Sequence, residues 1–122
     1  MTERGPLRLG FLMFPGFPMA CLTSAIEPLR AANEITGRRE FVWSLIAEGP
    51  AAVRSSAEIG FEPDVTLTDL EAVDHIYLLS PPTAEYADPR RSPAKLRLLG
   101  RDLPPGAGGP SGRAALFRPL VL

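Results

Sequence analysis

The sequence predicts an α/β fold in which helices pack on an open parallel sheet. Three observations carry this. The runs LRLGFLMF (Leu7 to Phe14), FVWSLIA (Phe41 to Ala47) and HIYLLS (His75 to Ser80) are short and apolar, as strands buried on both faces must be, and the first and third stop abruptly at proline. Between the first two, apolar residues recur at helical spacing. The connection is also long enough for a right-handed crossover between parallel strands. With 122 residues the chain is limited to one layered unit.

The first strand ends at Pro15 and Gly16, in the stretch FPGFPMACLT. Leu22, Ala25, Ile26, Leu29 and Ala32 then form the stripe of an amphipathic helix, with Thr23 or Ser24 as its cap and Pro28 near its first turn. Ser24 and Glu27 read as a capping box, S-A-I-E. Asn33 to Arg39, with Gly37, is the polar exit to the second strand. Val53 to Thr68 alternates weakly and is broken by Gly60 and Pro63, which fits short edge strands or a hairpin-like excursion. Leu70 to Val73 supports at most one helical turn. After the third strand, Pro81 and Pro82 interrupt, and Ser92 with Pro93 opens a helix through Leu99 that ends at Gly100. The remainder, from Arg101, is rich in Pro, Gly and Arg, and its apolar cluster Ala114 to Phe117 is isolated.

Composition narrows the function. A net charge of -1 gives no global attraction to nucleic acid or anionic membrane. One cysteine and one histidine supply neither a disulfide framework nor the usual closed zinc site, so no metal or cofactor is expected and a reducing, cytoplasmic setting is the default. The apolar run at Leu9 to Phe14 is too short for a signal peptide or a membrane span. Arg90, Arg91, Lys95, Arg97 and Arg101 form a local basic cluster without interleaved aromatics, the pattern of a solvated helix face. PGFP lacks the glycine spacing, lysine and hydroxyl residue of a phosphate loop.

Taken together, LGFLMFPGFPM, AIEPLRAAN, FVWSLIAEG, VRSSAEIGFEPDVTLTD and VDHIYLLS resemble the N-terminal half of GlxA-type regulators. These are AraC/XylS-class transcription factors that join a ThiJ/PfpI domain, of class I glutamine amidotransferase-like fold, to a C-terminal helix-turn-helix domain. The resemblance covers roughly residues 7 to 100. It implies a flavodoxin-like parallel sheet with flanking helices, in which the first strand lies between the second and third. Residues 1–101 are then about the first half of a ThiJ/PfpI domain, and 102–122 a tail that is disordered or out of frame. In the superfamily a later strand leads to a nucleophile-elbow cysteine, and in these regulators a DNA-binding domain follows. Cys21 has no cysteine after it. The chain therefore reads as a truncated or frame-disrupted regulator.

Within that resemblance Cys21 falls at or near the position of the acid that assists the elbow cysteine in active ThiJ/PfpI enzymes. A thiol there does not supply a carboxylate's charge at neutral pH without an adjacent cation, and the sequence places none beside it. A dyad of Cys21 with His75 is not expected either: Cys21 follows the carboxyl end of its strand, His75 opens the amino end of another, and five or six residues at about 3.3 Å separate those edges by roughly 17 Å.

Ligands of open parallel sheets bind beyond the carboxyl ends of the strands. Here those ends are Phe14 to Met19, Glu48 to Pro50 and Ser80 to Thr83, which nominate Pro15, Gly16, Phe17, Cys21, Glu48 and Ser80, together with Ser55 and Ser56, as ligand-binding residues. The expected function is a non-catalytic effector-sensing and dimerising domain of an AraC-class regulator. It would take a small-molecule effector, associate with itself, and bind neither DNA alone nor membrane. The rival readings are a small ThiJ/PfpI-type cysteine hydrolase or glyoxalase, and a fragment without independent function whose third strand is an uncovered edge.

Overall fold

The computed structural model describes residues 5–101 and 119–120. In chain order its elements are β1 (Leu7–Met13), α1 (Met19–Thr36), β2 (Phe41–Ala47), β3 (Val53–Arg54), β4 (Gly60–Phe61), β5 (Val65–Thr66), β6 (His75–Leu79), α2 (Arg91–Arg101) and β7 (Pro119–Leu120). Five strands make one parallel sheet in the order β5-β2-β1-β6-β7, so β1 does lie between β2 and β6. The stretch after β2 adopts both expected forms: β3 and β4 pair as an antiparallel hairpin, and β5 adds to the edge of β2.

Alternation along β1 separates two cores. Leu9, Phe11 and Met13 pack against Cys21 and Leu22 of α1. Leu12 and Phe14 pack with Ile46, Ile76 and, from α2, Leu96 and Leu99. Period-two side-chain direction is what lets one strand feed both layers. Gly10 sits between, on the α2 face, where a Cβ would stand 2.6 Å from Ile46 Cδ1 and 3.4 Å from Val73 Cγ1. A side chain there would force the tip of Ile46 to move.

Several expectations are corrected. The first helix starts at Met19, with Pro18 in the extended N-cap conformation and no side-chain cap, so neither Thr23 nor Ser24 caps it. Thr23 instead donates from Oγ1 to Met19 O at 3.2 Å, and Glu27 pairs with Arg30 at 2.9 Å, so the capping box is not formed. The helix gains a turn because Cys21 and Leu22 bury apolar surface on the sheet. Pro28 thereby falls in the middle of α1 rather than near its first turn. At the other end Gly37 adopts φ 68° and its N–H donates to Asn33 O, an αL cap.

The second helix begins at Arg91 and runs through Gly100 to Arg101. Its start is capped by Asp88, whose Oδ1 accepts from the Arg91 N–H at 2.9 Å, while Ser92 is buried and turned elsewhere. The single helical turn expected before the third run lies at Thr66 to Leu70, where Leu70 N donates to Thr66 O, and not at Leu70 to Val73. The third strand is also not the last: Pro119 and Leu120 pair with Leu78 and Leu79. The rest of the tail expectation lies outside the described residues. No helix among those described is long and apolar enough to cross a membrane.

Candidate functional site

The carboxyl edge of the sheet is organised around the turn after β1. Phe14 N donates to Leu79 O at 2.9 Å, which binds this turn to the end of β6. Gly16 takes φ 86°, a conformation that costs a side-chain-bearing residue, and its N–H reaches Arg54 O at 2.8 Å. Phe17 accepts at its carbonyl from Ser56 N at 2.8 Å. The turn is therefore held on one side by β6 and on the other by the β3–β4 hairpin.

These bonds bring Pro15, Gly16, Phe17, Ser55 and Ser56 together. Their side chains do different things. Phe17 is fully buried and meets Phe61 edge to face at 5.3 Å. Ser55 is 3% exposed and accepts at Oγ from the N–H groups of Ala57 and Ile59, fixing the hairpin turn in which Glu58 takes φ 63°. Pro15 and Ser56 are exposed at the rim. Ser80 is half-buried beside Pro81, whose Cγ would stand 3.4 Å from a Cβ at Gly16.

Glu48 lies past the end of β2 and faces the lead into α2. Its Oε1 accepts from Ala87 N at 2.9 Å, and its Oε2 accepts from Asp88 N at 3.2 Å and from Ser92 Oγ at 2.5 Å. Charge-assisted bonds of this kind are stronger than neutral ones. The carboxylate thus anchors residues 87–92 to the sheet. It also acts on Tyr86, whose phenol is pushed up from its ordinary value, first by burial and then by the Glu48 charge. Tyr86 in turn packs edge to face on Phe14 at 5.4 Å.

Cys21 is in the first turn of α1, 5% exposed, in the core layer that also holds Phe17, Val53 and Leu79. His75 opens β6 opposite Leu9, at the amino edge. The two lie at opposite ends of the strands, so no thiol–imidazole pair forms. No group of three or more His, Cys, Asp or Glu that could hold a metal occurs among the described residues.

Three functional details escape the sequence reading. The Glu48–Ser92 bond joins residues 44 apart, a link that no local motif announces. Gly10 looks like any glycine until Ile46 is placed against it. Asn33, read as part of a phrase and as the start of the polar exit, accepts from Phe41 N at 3.0 Å and donates to Phe41 O at 2.9 Å, clamping the end of α1 to the start of β2.

A doubly covered parallel sheet with β1 at its centre and its loops gathered at the carboxyl edge defines a flavodoxin-like fold, the fold also seen in solved structures of ThiJ/PfpI and DJ-1 superfamily proteins. A ThiJ/PfpI family protein from Pseudomonas syringae superposes with a TM-score of 0.60 at 14% identity, covering 81% of this chain and 40% of that one. An AraC family transcriptional regulator from Pseudomonas putida superposes with a TM-score of 0.62 at 20% identity, covering 80% of this chain and 50% of its own.

The homologues are HTH-type transcriptional regulators. GbdR of Pseudomonas aeruginosa (strain UCBPP-PA14) is 35% identical over 72 residues, 59% of this chain and 20% of that protein. GlxA of Rhizobium meliloti (strain 1021) is 32% identical over 101 residues, 81% of this chain and 31% of that protein. The chain thus spans between a fifth and a third of the length of these relatives. No family model matches it.

Proposed function

We propose that the chain is a non-catalytic, effector-sensing module of an AraC-class regulator, with its effector bound at the carboxyl edge between the Pro15–Gly16 turn, Ser56 and Ser80. The observation that supports this most is the burial of Cys21 in an apolar core layer, at the opposite end of the strands from His75, in a chain whose homologues are transcriptional regulators. A thiol packed among Phe17, Leu22 and Val53 is a space-filling residue, not an exposed nucleophile. The rim above it offers serine hydroxyls and backbone groups held in place by cross-loop bonds, a setting that suits a small polar effector.

The module does not bind DNA alone. Both of its long helices spend their apolar faces on opposite faces of the sheet, leaving no helix pair for a groove among the described residues. With no charge excess to draw it to polyanions or membrane, it is a cytoplasmic domain that works by association with itself or with the rest of a regulator.

The test combines turnover and binding. The chain is assayed for methylglyoxal conversion and for amide hydrolysis, and small carboxylates and amines are screened by thermal shift. The expected result is no turnover, with stabilising compounds that perturb the amide signals of Gly16, Ser56 and Ser80. Turnover that Cys21→Ser abolishes would overturn the reading in favour of a cysteine enzyme.

A further inference from the structure

The outer edge of β2 is covered by side chains rather than by a strand along most of its length. In a parallel strand alternate residues direct both backbone groups to the same side. For β2 the outward residues are Phe41, Trp43, Leu45 and Ala47, because Asp64 N donates to Leu45 O at 2.7 Å and Leu67 N to Ala47 O at 2.8 Å from the β5 side. β5 itself reaches only Ile46 and Ala47. Beyond it, the Asp64 carboxylate accepts from Leu45 N at 2.8 Å, and the Asn33 amide satisfies both backbone groups of Phe41. Trp43 alone is left with an outward amide and carbonyl that have no hydrogen-bond partner among the described residues.

We propose that Asn33 and Asp64 are edge guards, side-chain surrogates for a neighbouring strand that keep a second copy of this chain from pairing with β2. The segment they guard needs it. FVWSL is rich in β-branched and aromatic residues, carries no charge and no proline, and would lie along an identical segment in an antiparallel, self-complementary pair. With both guards in place such a pair meets one free residue. Removing Asn33 frees Phe41 as well, so that the exposed groups of Phe41 and Trp43 span a continuous stretch of edge.

The experiment follows association of the 122-residue chain by sedimentation velocity and hydrogen exchange of the Phe41 and Trp43 amides. Asn33→Ala is expected to raise the association constant by about tenfold or more, on the scale of two hydrogen bonds regained between copies. Exchange at Phe41 and Trp43 should slow as concentration rises. Asn33→Asp keeps the acceptor for Phe41 N and loses only the donor, so it gives a smaller rise and is read if Asn33→Ala does not fold. Gly37→Ala loosens the same helix end through its αL cap without touching the edge, and should leave association unchanged. Association of Asn33→Ala no greater than that of Gly37→Ala, or greater association without concentration-dependent protection of Phe41 and Trp43, overturns the proposal.

Discussion

At Gly10 the decisive quantity is a distance. At 2.6 Å from Ile46 Cδ1, a methyl group forces the end of that fully buried side chain to move, so Gly10→Ala should destabilise the fold by about 1–3 kcal/mol, read as a lower urea midpoint with an unchanged slope. Glu48 makes a different kind of contribution. Glu48→Ala leaves the buried Ser92 hydroxyl and two backbone N–H groups without their acceptor, at a cost of about 1–3 kcal/mol, and should speed hydrogen exchange at Ala87 and Asp88. Tyr86 reports on the same place. Burial and the Glu48 charge favour its neutral phenol, so its folded-state value lies above the unfolded one. The sign follows: the stability it contributes is present below the ordinary tyrosine range near pH 10 and is lost as pH rises through the higher folded value. Ultraviolet titration should show a late-ionising phenol that Tyr86→Phe removes and Glu48→Gln shifts back down.

At the scale of elements, α1 carries an internal defect. Pro28 supplies no N–H to Ser24 O and lies on the exposed side of an 18-residue helix. Pro28→Ala should therefore stabilise the chain by about 1–3 kcal/mol, visible as a raised melting temperature. The same helix shows why its sequence was only partly legible. Its stripe is a periodic, local signal and located its body, but the polar exit read from Asn33 is helical through Thr36, and the helix stops only at Gly37. Its start depends on tertiary burial of Cys21 and Leu22, and tertiary contact overrode the cap residues Thr23 and Ser24 that local pattern favours. At α2 the helix was legible and its cap was not: Ser92 has the right chemistry for a cap, but Glu48, distant in sequence, takes its hydroxyl, and Asp88 caps instead. The strands were read well because short, continuous apolar runs, two of them stopped by proline, have few other fates in a small α/β chain. The nominated rim residues share one edge for a general reason, since parallel strands present all their carboxyl ends together. Which of them are exposed hydroxyls and which, like Ser55, are spent inside a turn required the coordinates.

Across the whole molecule the two cores share one strand, so they are expected to melt together. Leu96→Ala, in the α2 layer, should cost about 2–5 kcal/mol and lower the protection of the α1 amides as well, because both layers rest on the same strand. Protection lost on one face only would show the layers to be independent.

The central place of β1 also has a consequence in time. It is made before both of its neighbours: β2 is complete only at Ala47 and β6 only at Leu79. At synthesis speeds of about 5–20 residues per second, roughly 3 to 13 s pass between completion of the first strand and completion of its second partner. Through that interval LGFLMF is apolar and lacks at least one of its partner strands, a nascent segment open to chaperones and to neighbouring nascent chains.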